Sequence, residues 1–201
     1  MEPFFDVNKD YFSARYLPLL ARRFWSFKIA LSLFLQLAGQ SILETGCVRR
    51  RDDWDAGNSS VIFAEFAAKF GKDFHTIDNN PEAVELTKAL TKAYEANTDV
   101  ILGDSIEVLK RWDKMIDLLY LDSLDTDPNN AEVAKKAQEH QLQELELAYP
   151  HLTRNAIVLL DDNYFANGGK TALSKEFLSQ KGWLQIMDYE QSLWLRPHYE
   201  K

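Results

Sequence analysis

The stretch SILETGCVRRRDDWDAGNSS, from Ser41 to Ser60, decides how the chain is read. Ser41–Thr45 is a short apolar run of the kind a buried parallel strand supplies. Gly46, a very polar loop and Gly57 follow, and then Asn58-Ser59-Ser60 stands where a helix would begin. A strand, a glycine turn and a helix N-terminus together form a nucleotide-sized site. Glycine lets the backbone approach a ligand closely, and the first N–H groups of the helix point at it.

The rest of the chain repeats the strand–helix alternation. Upstream, residues 10–38 predict one or two helices. Downstream, a helix over Ser60–Phe70 leads to a strand over Asp73–Asp78, and Pro81 opens a helix reaching Glu95. Thr98–Leu102 is the third strand, and Asp104 or Ser105 caps a helix to about Trp112. Ile116–Asp122 has the continuous apolar run of a strand covered on both faces. A helix over Ala131–Tyr149, a strand over Asn155–Asp161 and a helix over Lys170–Gln180 come next. Trp183–Asp188 and Ser192–Arg196 are separated by three residues, too few for a parallel crossover, and predict an antiparallel hairpin. The fold class is therefore α/β: a doubly wound, Rossmann-like, mostly parallel seven-stranded sheet. Helices cover both faces, and the terminal hairpin adds an antiparallel strand at one edge. Residues 1–40 form an N-terminal helical segment, a lid or cap, before a domain over residues 41–201.

Composition narrows the function. The 201 residues carry a formal net charge of -8, which argues against a nucleic-acid partner, although Arg49, Arg50 and Arg51 make a local basic cluster. The one cysteine, Cys47, rules out an internal disulfide and fits a reducing, cytoplasmic setting. Cys47 reads as a small residue in a tight loop rather than a reactive thiol. Leu17–Leu37 is the most apolar segment, but Arg22, Arg23 and Lys28 interrupt it and Glu2 and Asp6 precede it. It is neither a signal peptide nor a membrane span, and reads as a packed amphipathic helix, a membrane-surface helix or a lid. Phe4, Phe5, Tyr11 and Trp25 would serve a homodimer interface, a lid or the core equally well.

In a doubly wound sheet, ligands bind beyond the carboxyl ends of the strands. Those ends carry Glu44 and Gly46, then Asp78 with Asn79, then Gly103-Asp104-Ser105, then Asp122, then Asp161-Asp162-Asn163. Asp78 is placed to accept hydrogen bonds from a ribose diol, or else to cap the helix at Pro81. Asp104 and Ser105 would hold an adenine edge or only cap their own helix. Asp122, Asp162 and Asn163 offer hard oxygen ligands of the kind that suit Mg²⁺, Mn²⁺ or Ca²⁺.

Taken together, ETG…GNSS, TIDNNPEAVELTK, LGDSIEVL, LYLDSLD and VLLDDNYF resemble the class I S-adenosylmethionine-dependent methyltransferases. The closest likeness is to small metal-dependent O-methyltransferases of the catechol type and to those that modify natural-product sugars. The resemblance covers residues 41–196. It implies that Glu44, Gly46, Gly57 and Ser59 line the methionine part of S-adenosylmethionine, that Asp78 with Asn79 meets the ribose, and that Asp104 and Ser105 face the adenine. It gives Asp122, Asp162 and Asn163 as ligands of a divalent ion that would bind acceptor oxygens. Gly46 and Gly57 stand farther apart than the family's glycines, so the loop between them bulges. Trp54 and the arginines there would line the substrate mouth, or the loop is a solvated insert. Where the catechol-type enzymes carry a lysine, this chain has Asp125. Proton removal then falls to Asp125, Asp127 or His140, with His151 and His198 as lesser candidates and His75 structural. The expected activity is O-methylation of a small molecule. Two rivals remain: a binding or scaffold protein of the same fold, and an NAD-dependent oxidoreductase, which the hairpin and the lack of G-x-G-x-x-G disfavour.

Overall fold

The computed structural model of the chain describes residues 10–54 and 57–197. Seven strands form one sheet: β1 (Ser41–Thr45), β2 (Asp73–Asp78), β3 (Thr98–Leu102), β4 (Ile116–Leu121), β5 (Leu152–Leu160), β6 (Leu184–Asp188) and β7 (Ser192–Leu195). Their spatial order is β3-β2-β1-β4-β5-β7-β6. Pairing is parallel from β3 through β5, and β7 alone runs against its neighbours.

The α-helices among the described residues are α1 (Tyr11–Leu20), α2 (Phe24–Gln36), α3 (Ser59–Phe70), α4 (Pro81–Leu90), α5 (Ser105–Leu109), α6 (Ala131–Ala148) and α7 (Ala172–Gln180). Alternation along the strands sorts them into two layers. Ile42, Phe74, Leu118, Tyr120, Ile157 and Leu159 face α1, α2 and α3 through a cluster rich in phenylalanine. Leu43, Ile77, Leu119, Leu121, Val158 and Leu160 face α5, α6 and α7. A short 3₁₀ turn, Ala21–Arg23, joins α1 to α2. Phe24, Phe27, Ala30, Leu31 and Phe34 of α2 are buried, and the helix packs on β4, β5 and β7. No helix among the described residues is long and apolar enough to cross a membrane. Phe4, Phe5 and His198 lie outside the described residues.

The hairpin differs from expectation in one respect. Its antiparallel strand is not the edge: β7 inserts between β5 and β6, and β6 takes the edge. The side chains explain the choice. Ser192, Leu193 and Trp194 are buried, whereas Leu184, Gln185, Ile186 and Asp188 are exposed. The apolar strand goes inside and the mixed one, ending in an acid, is left to meet water.

Strand order reverses between β1 and β4, so the crevice at their carboxyl ends is where a ligand site belongs. The packing predicts an unequal response to truncation within the hairpin. Leu193→Ala, at a fully buried site, should cost about 2–5 kcal/mol in urea denaturation, and Ile186→Ala on the edge under about 1 kcal/mol. Equal costs would contradict this assignment of centre and edge.

Candidate functional site

The loop after β1 is drawn tightly over the strand ends. Gly46 donates its N–H to the Ile77 carbonyl at 2.8 Å, and its φ is +94°. A Cβ there would stand 2.5 Å from the Asp122 carbonyl oxygen, so only glycine lets the β1 loop lie against the β4 loop. Cys47 N–H then bonds Asp78 Oδ2 at 2.8 Å, and Val48 N–H bonds Thr87 Oγ1 at 3.0 Å. The Cys47 thiol is buried beside Thr76, and burial pushes its pKa up to about 12, consistent with a packing role.

A cavity of about 260 Å³ lies in front of this loop. Of the residues expected at a cofactor, Gly46, Gly57, Ser59, Asp78, Asn79, Asp104 and Ser105 line it. Asp78 is well prepared to hold a diol. Each carboxylate oxygen accepts one backbone N–H, from Cys47 and from Asn80, both at 2.8 Å, which fixes the group and leaves it accepting capacity. The cap of α4 is Asn80, whose side chain accepts from Glu82 and Ala83, so Asp78 is not consumed by capping. Asp104 does cap α5, accepting from Glu107 N–H at 3.1 Å, and borders the cavity as well.

Glu44 is not among the lining residues. It is fully buried and accepts from Ser60 Oγ at 2.5 Å, bracing the start of α3 from below. Burial pushes its pKa up to about 7, with the neighbouring Ser59, Ser60 and Thr76 hydroxyls opposing.

His140 reaches this cavity from α6. Its Nε2 lies 3.3 Å from Ser105 Oγ and 3.3 Å from Glu144 Oε1, one helical turn along. Glu144 is fully buried and also takes a bond from Thr45 Oγ1 at 3.2 Å. The Glu144 carboxylate raises the His140 pKa above the ordinary histidine value, with burial opposing. His140 does not reach the second cavity described next, and Asp127 and His151 lie away from both. Asp127 sits in the loop before α6, where its carboxylate accepts from Asn129 N–H. His151 ends the 3₁₀ turn after α6, and His75 is a buried residue of β2 against Trp112.

The second cavity, about 450 Å³, opens between the Ala21–Arg23 turn and the ends of β4 and β5. It shares Arg49, Asp122 and Asp125 with the first, so the two cavities meet there. Its floor is a buried charge cluster. Arg23 Nη1 pairs with Asp161 Oδ2 at 3.0 Å, and Tyr120 donates its hydroxyl to the same carboxylate and, at 3.1 Å, to Asp122. Lys170, 2% exposed in its side chain, donates to Asp122 Oδ1 at 3.0 Å, Asp162 Oδ2 at 3.1 Å and the Ser123 carbonyl at 3.0 Å. Burial works against an ionised Asp161, yet Arg23 and Lys170 hold it down to about 2. Asp122 goes the other way: burial, then the neighbouring Asp161 charge, lifts it well above the carboxylate range. The backbone shapes this floor too. Asp162 has φ +54°, and Gly169 fits so closely under the Asp162 carbonyl that a Cβ would stand 1.8 Å from it. Gln138 Nε2 holds the Gly169 carbonyl at 2.7 Å, which fixes the turn presenting Lys170.

Two expectations need correcting. Asp122 and Asp162 converge, but on the Lys170 ammonium, and Asn163 does not join them. Asn163 Nδ2 donates to Asp188 Oδ1 and the Tyr189 carbonyl, while its Oδ1 accepts from Thr171 and Lys175. Both amide hydrogens and both lone pairs are thereby used, in the loop beside the hairpin turn. The residues present do not fit a divalent ion, and no group of three or more His, Cys, Asp or Glu suited to a metal occurs among the described residues. Second, Asp125 is a poor proton acceptor: Arg49 grips both its oxygens, at 2.5 and 2.8 Å, and that hydrogen bonding lowers its pKa. The described residues 47–54 divide between the two readings of the 47–56 loop. Trp54 packs on Tyr16 and gives its carbonyl to Arg23, Arg49 borders both cavities, and Arg50 and Arg51 are exposed.

Sequence reasoning missed Lys170, Arg23, Tyr120 and Glu144. The Gly168-Gly169-Lys170 turn, close after Asp161-Asp162-Asn163, and the arginine inside an apolar helical segment were the available signals.

A model of a methyltransferase domain family matches residues 54–163, more than half of the chain. The fold and this match define a class I S-adenosylmethionine-dependent methyltransferase. The chain belongs to that methyltransferase family. No curated protein sequence matches it. Among solved structures, the chain is similar to the SAH-bound methyltransferase PaMTH1 of Podospora anserina, with TM-score 0.62 and 15% identity over 94% of this chain and 85% of that one. It is also similar to CalS11, the TDP-rhamnose 3'-O-methyltransferase of calicheamicin biosynthesis, with TM-score 0.61 and 17% identity over 95% and 88%. The O-methyltransferase NovP gives 0.62 and 13% over 87% and 79%. At these identities the likeness establishes the shared fold.

The Glu144–His140 contact carries a titration prediction. The imidazole should titrate above the ordinary histidine value by NMR, and Glu144→Gln should bring it back down. Because the folded value is raised, this contact stabilises fully below the unfolded histidine pKa and is lost as pH rises through the folded one. A His140 shift unaffected by Glu144→Gln would contradict the pairing.

Proposed function

We propose that the chain transfers the methyl group of S-adenosylmethionine to a hydroxyl oxygen of a small-molecule acceptor. The observation that carries this reading is the meeting of two cavities at Asp122: one suited to a nucleoside donor, the other able to take an acceptor. Asp78 supplies the diol-accepting carboxylate, and Gly46 the close backbone approach beside it. The Tyr164 and Phe165 rings, tilted together with centroids 4.3 Å apart, offer the second cavity an apolar wall, with Arg22 and Glu190 as polar groups. The likeness to NovP and CalS11 supports oxygen as the accepting atom, and CalS11 supports a sugar-like hydroxyl.

When bound, S-adenosylmethionine supplies a methyl carbon whose bond to sulfur breaks as its bond to the acceptor oxygen forms, leaving a neutral thioether and the hydroxyl proton. The chain's task is therefore to position the acceptor and to receive that proton. The buried cluster has room for one proton, because three carboxylates (Asp122, Asp161, Asp162) face two cations (Arg23, Lys170). Asp122, lifted by burial and by Asp161, is the cluster member that borders both cavities. It is better suited to the proton than Asp125, which Arg49 holds, or His140, which faces only the donor cavity.

Calorimetric titration with S-adenosylmethionine tests the donor half. Wild type should bind, and Asp78→Ala should weaken binding at least tenfold, about 1.4 kcal/mol. Asp122→Asn should keep donor binding within about threefold while transfer to hydroxylated acceptors falls by about a hundredfold or more. Absence of donor binding at ~1 mM would overturn the proposal.

A further inference from the structure

We infer that the Lys170 ammonium takes the place of the divalent metal ion in this chain, so that its acceptor is held without a metal and need not be a chelating diol. The cation half of this inference stands on the side chains alone, and its consequence for the acceptor rests on the methyl-transfer reading.

The family resemblance gives two of the cluster's carboxylates to a metal. Asp122 Oδ1 and Asp162 Oδ2 both point at Lys170 Nζ, at 3.0 and 3.1 Å. The Ser123 carbonyl takes the third ammonium proton at 3.0 Å. An ammonium has three donors and no acceptor, so its hydrogen-bonding capacity is filled by the oxygens that would otherwise face a metal. The third candidate ligand, Asn163, has no lone pair left to give. Hard divalent ions need six or more oxygens, or a near-ideal octahedron completed by water. Two carboxylates already shared with a buried ammonium do not approach that set, and the like charge of the ammonium would oppose a second cation beside it.

The lysine is built into this position. Gly169, at φ +57°, passes under the Asp162 carbonyl where no side chain fits, and Lys170 N–H bonds that same carbonyl at 3.1 Å. Gln138 fixes the turn from α6. Lys170 is thus delivered to the carboxylates by a turn that only glycine allows.

The substitution changes what the site can select. A bound Mg²⁺ keeps open coordination positions on which two neighbouring oxygens of an acceptor can sit. An ammonium with all three protons committed has none. Orientation of the acceptor then falls to the cavity wall, chiefly Arg22, Asp162, Tyr164 and Glu190, and an acceptor with a single hydroxyl is admitted as readily as a catechol or vicinal diol. Lys170 acts here through Asp122 and Asp162, as a positioning residue.

The test is a Mn²⁺ titration followed by electron paramagnetic resonance, on wild type, Lys170→Ala, Lys170→Ala/Asp162→Ala and Asp162→Asn. In wild type the free-ion signal should persist to ~1 mM Mn²⁺, and a chelator should leave S-adenosylmethionine binding unchanged. Lys170→Ala, which vacates the cation position between two carboxylates, should bind Mn²⁺ at least tenfold more tightly than wild type. Its melting temperature should rise on adding the ion, and both effects should vanish in the double variant. Micromolar Mn²⁺ binding by wild type that Asp162→Asn abolishes would overturn the inference, as would a folded Lys170→Ala that gains no affinity. If Lys170→Ala does not fold even with Mn²⁺, the wild-type and Asp162→Asn titrations decide. Failure of the methyl-transfer reading would show separately, as absent S-adenosylmethionine binding with the Mn²⁺ results unchanged.

Discussion

A charge buried in a protein must be paired, and at the ends of β4 and β5 Arg23, Lys170 and Asp161 are buried beside the partly buried Asp122 and Asp162. Asp161 is met by Arg23, Asp122 and Asp162 by Lys170, and the Tyr120 hydroxyl links Asp161 to Asp122. Breaking such a pair typically costs about 3–5 kcal/mol, because the remaining partner is left charged and dry. Much of the surrounding structure follows from this requirement. Arg23 ties the turn between α1 and α2 to the sheet, Gly169 brings Lys170 under Asp162, and Gly46 lets the β1 loop close against Asp122. The same cluster forms the floor on which the two cavities meet.

The fold supplies the frame and the loops supply the chemistry. The parallel core from β3 to β5 delivers polar residues to one edge, and the reversal of strand order between β1 and β4 opens a crevice there. Asp78 is oriented by two backbone N–H groups before any ligand arrives, and Asn80 relieves it of capping α4. The opposite wall of the second cavity comes from the Ala21–Arg23 turn and the Tyr164–Phe165 pair.

The fold was largely legible in the sequence because its signals are local and periodic. Leu118–Leu121 and Ala156–Leu160 are continuous apolar runs, Pro81 marks a helix start, and three residues between two strands dictate a hairpin. The position of β7 inside β6 was less accessible, since it depends on which hairpin strand buries more apolar surface. At the site, residues next to strand ends could be foreseen, and most of those expected at a cofactor line the first cavity. Partnerships across long sequence separations could not. Arg23 and Asp161 are 138 residues apart, and Lys170 and Asp122 are 48 apart. Acids after two neighbouring strands looked like metal ligands because nothing in the local pattern reveals the cation that satisfies them. Asn163 was misplaced for the same reason: its partners Asp188 and Tyr189 belong to the hairpin.

The most direct test of the account is a crystal structure of the complex with S-adenosylhomocysteine. The ribose hydroxyls should lie on Asp78, the adenine beside Asp104 and Ser105, and the sulfur toward Asp122, where the two cavities join. A product seated in the second cavity, or a ribose that does not touch Asp78, would contradict it.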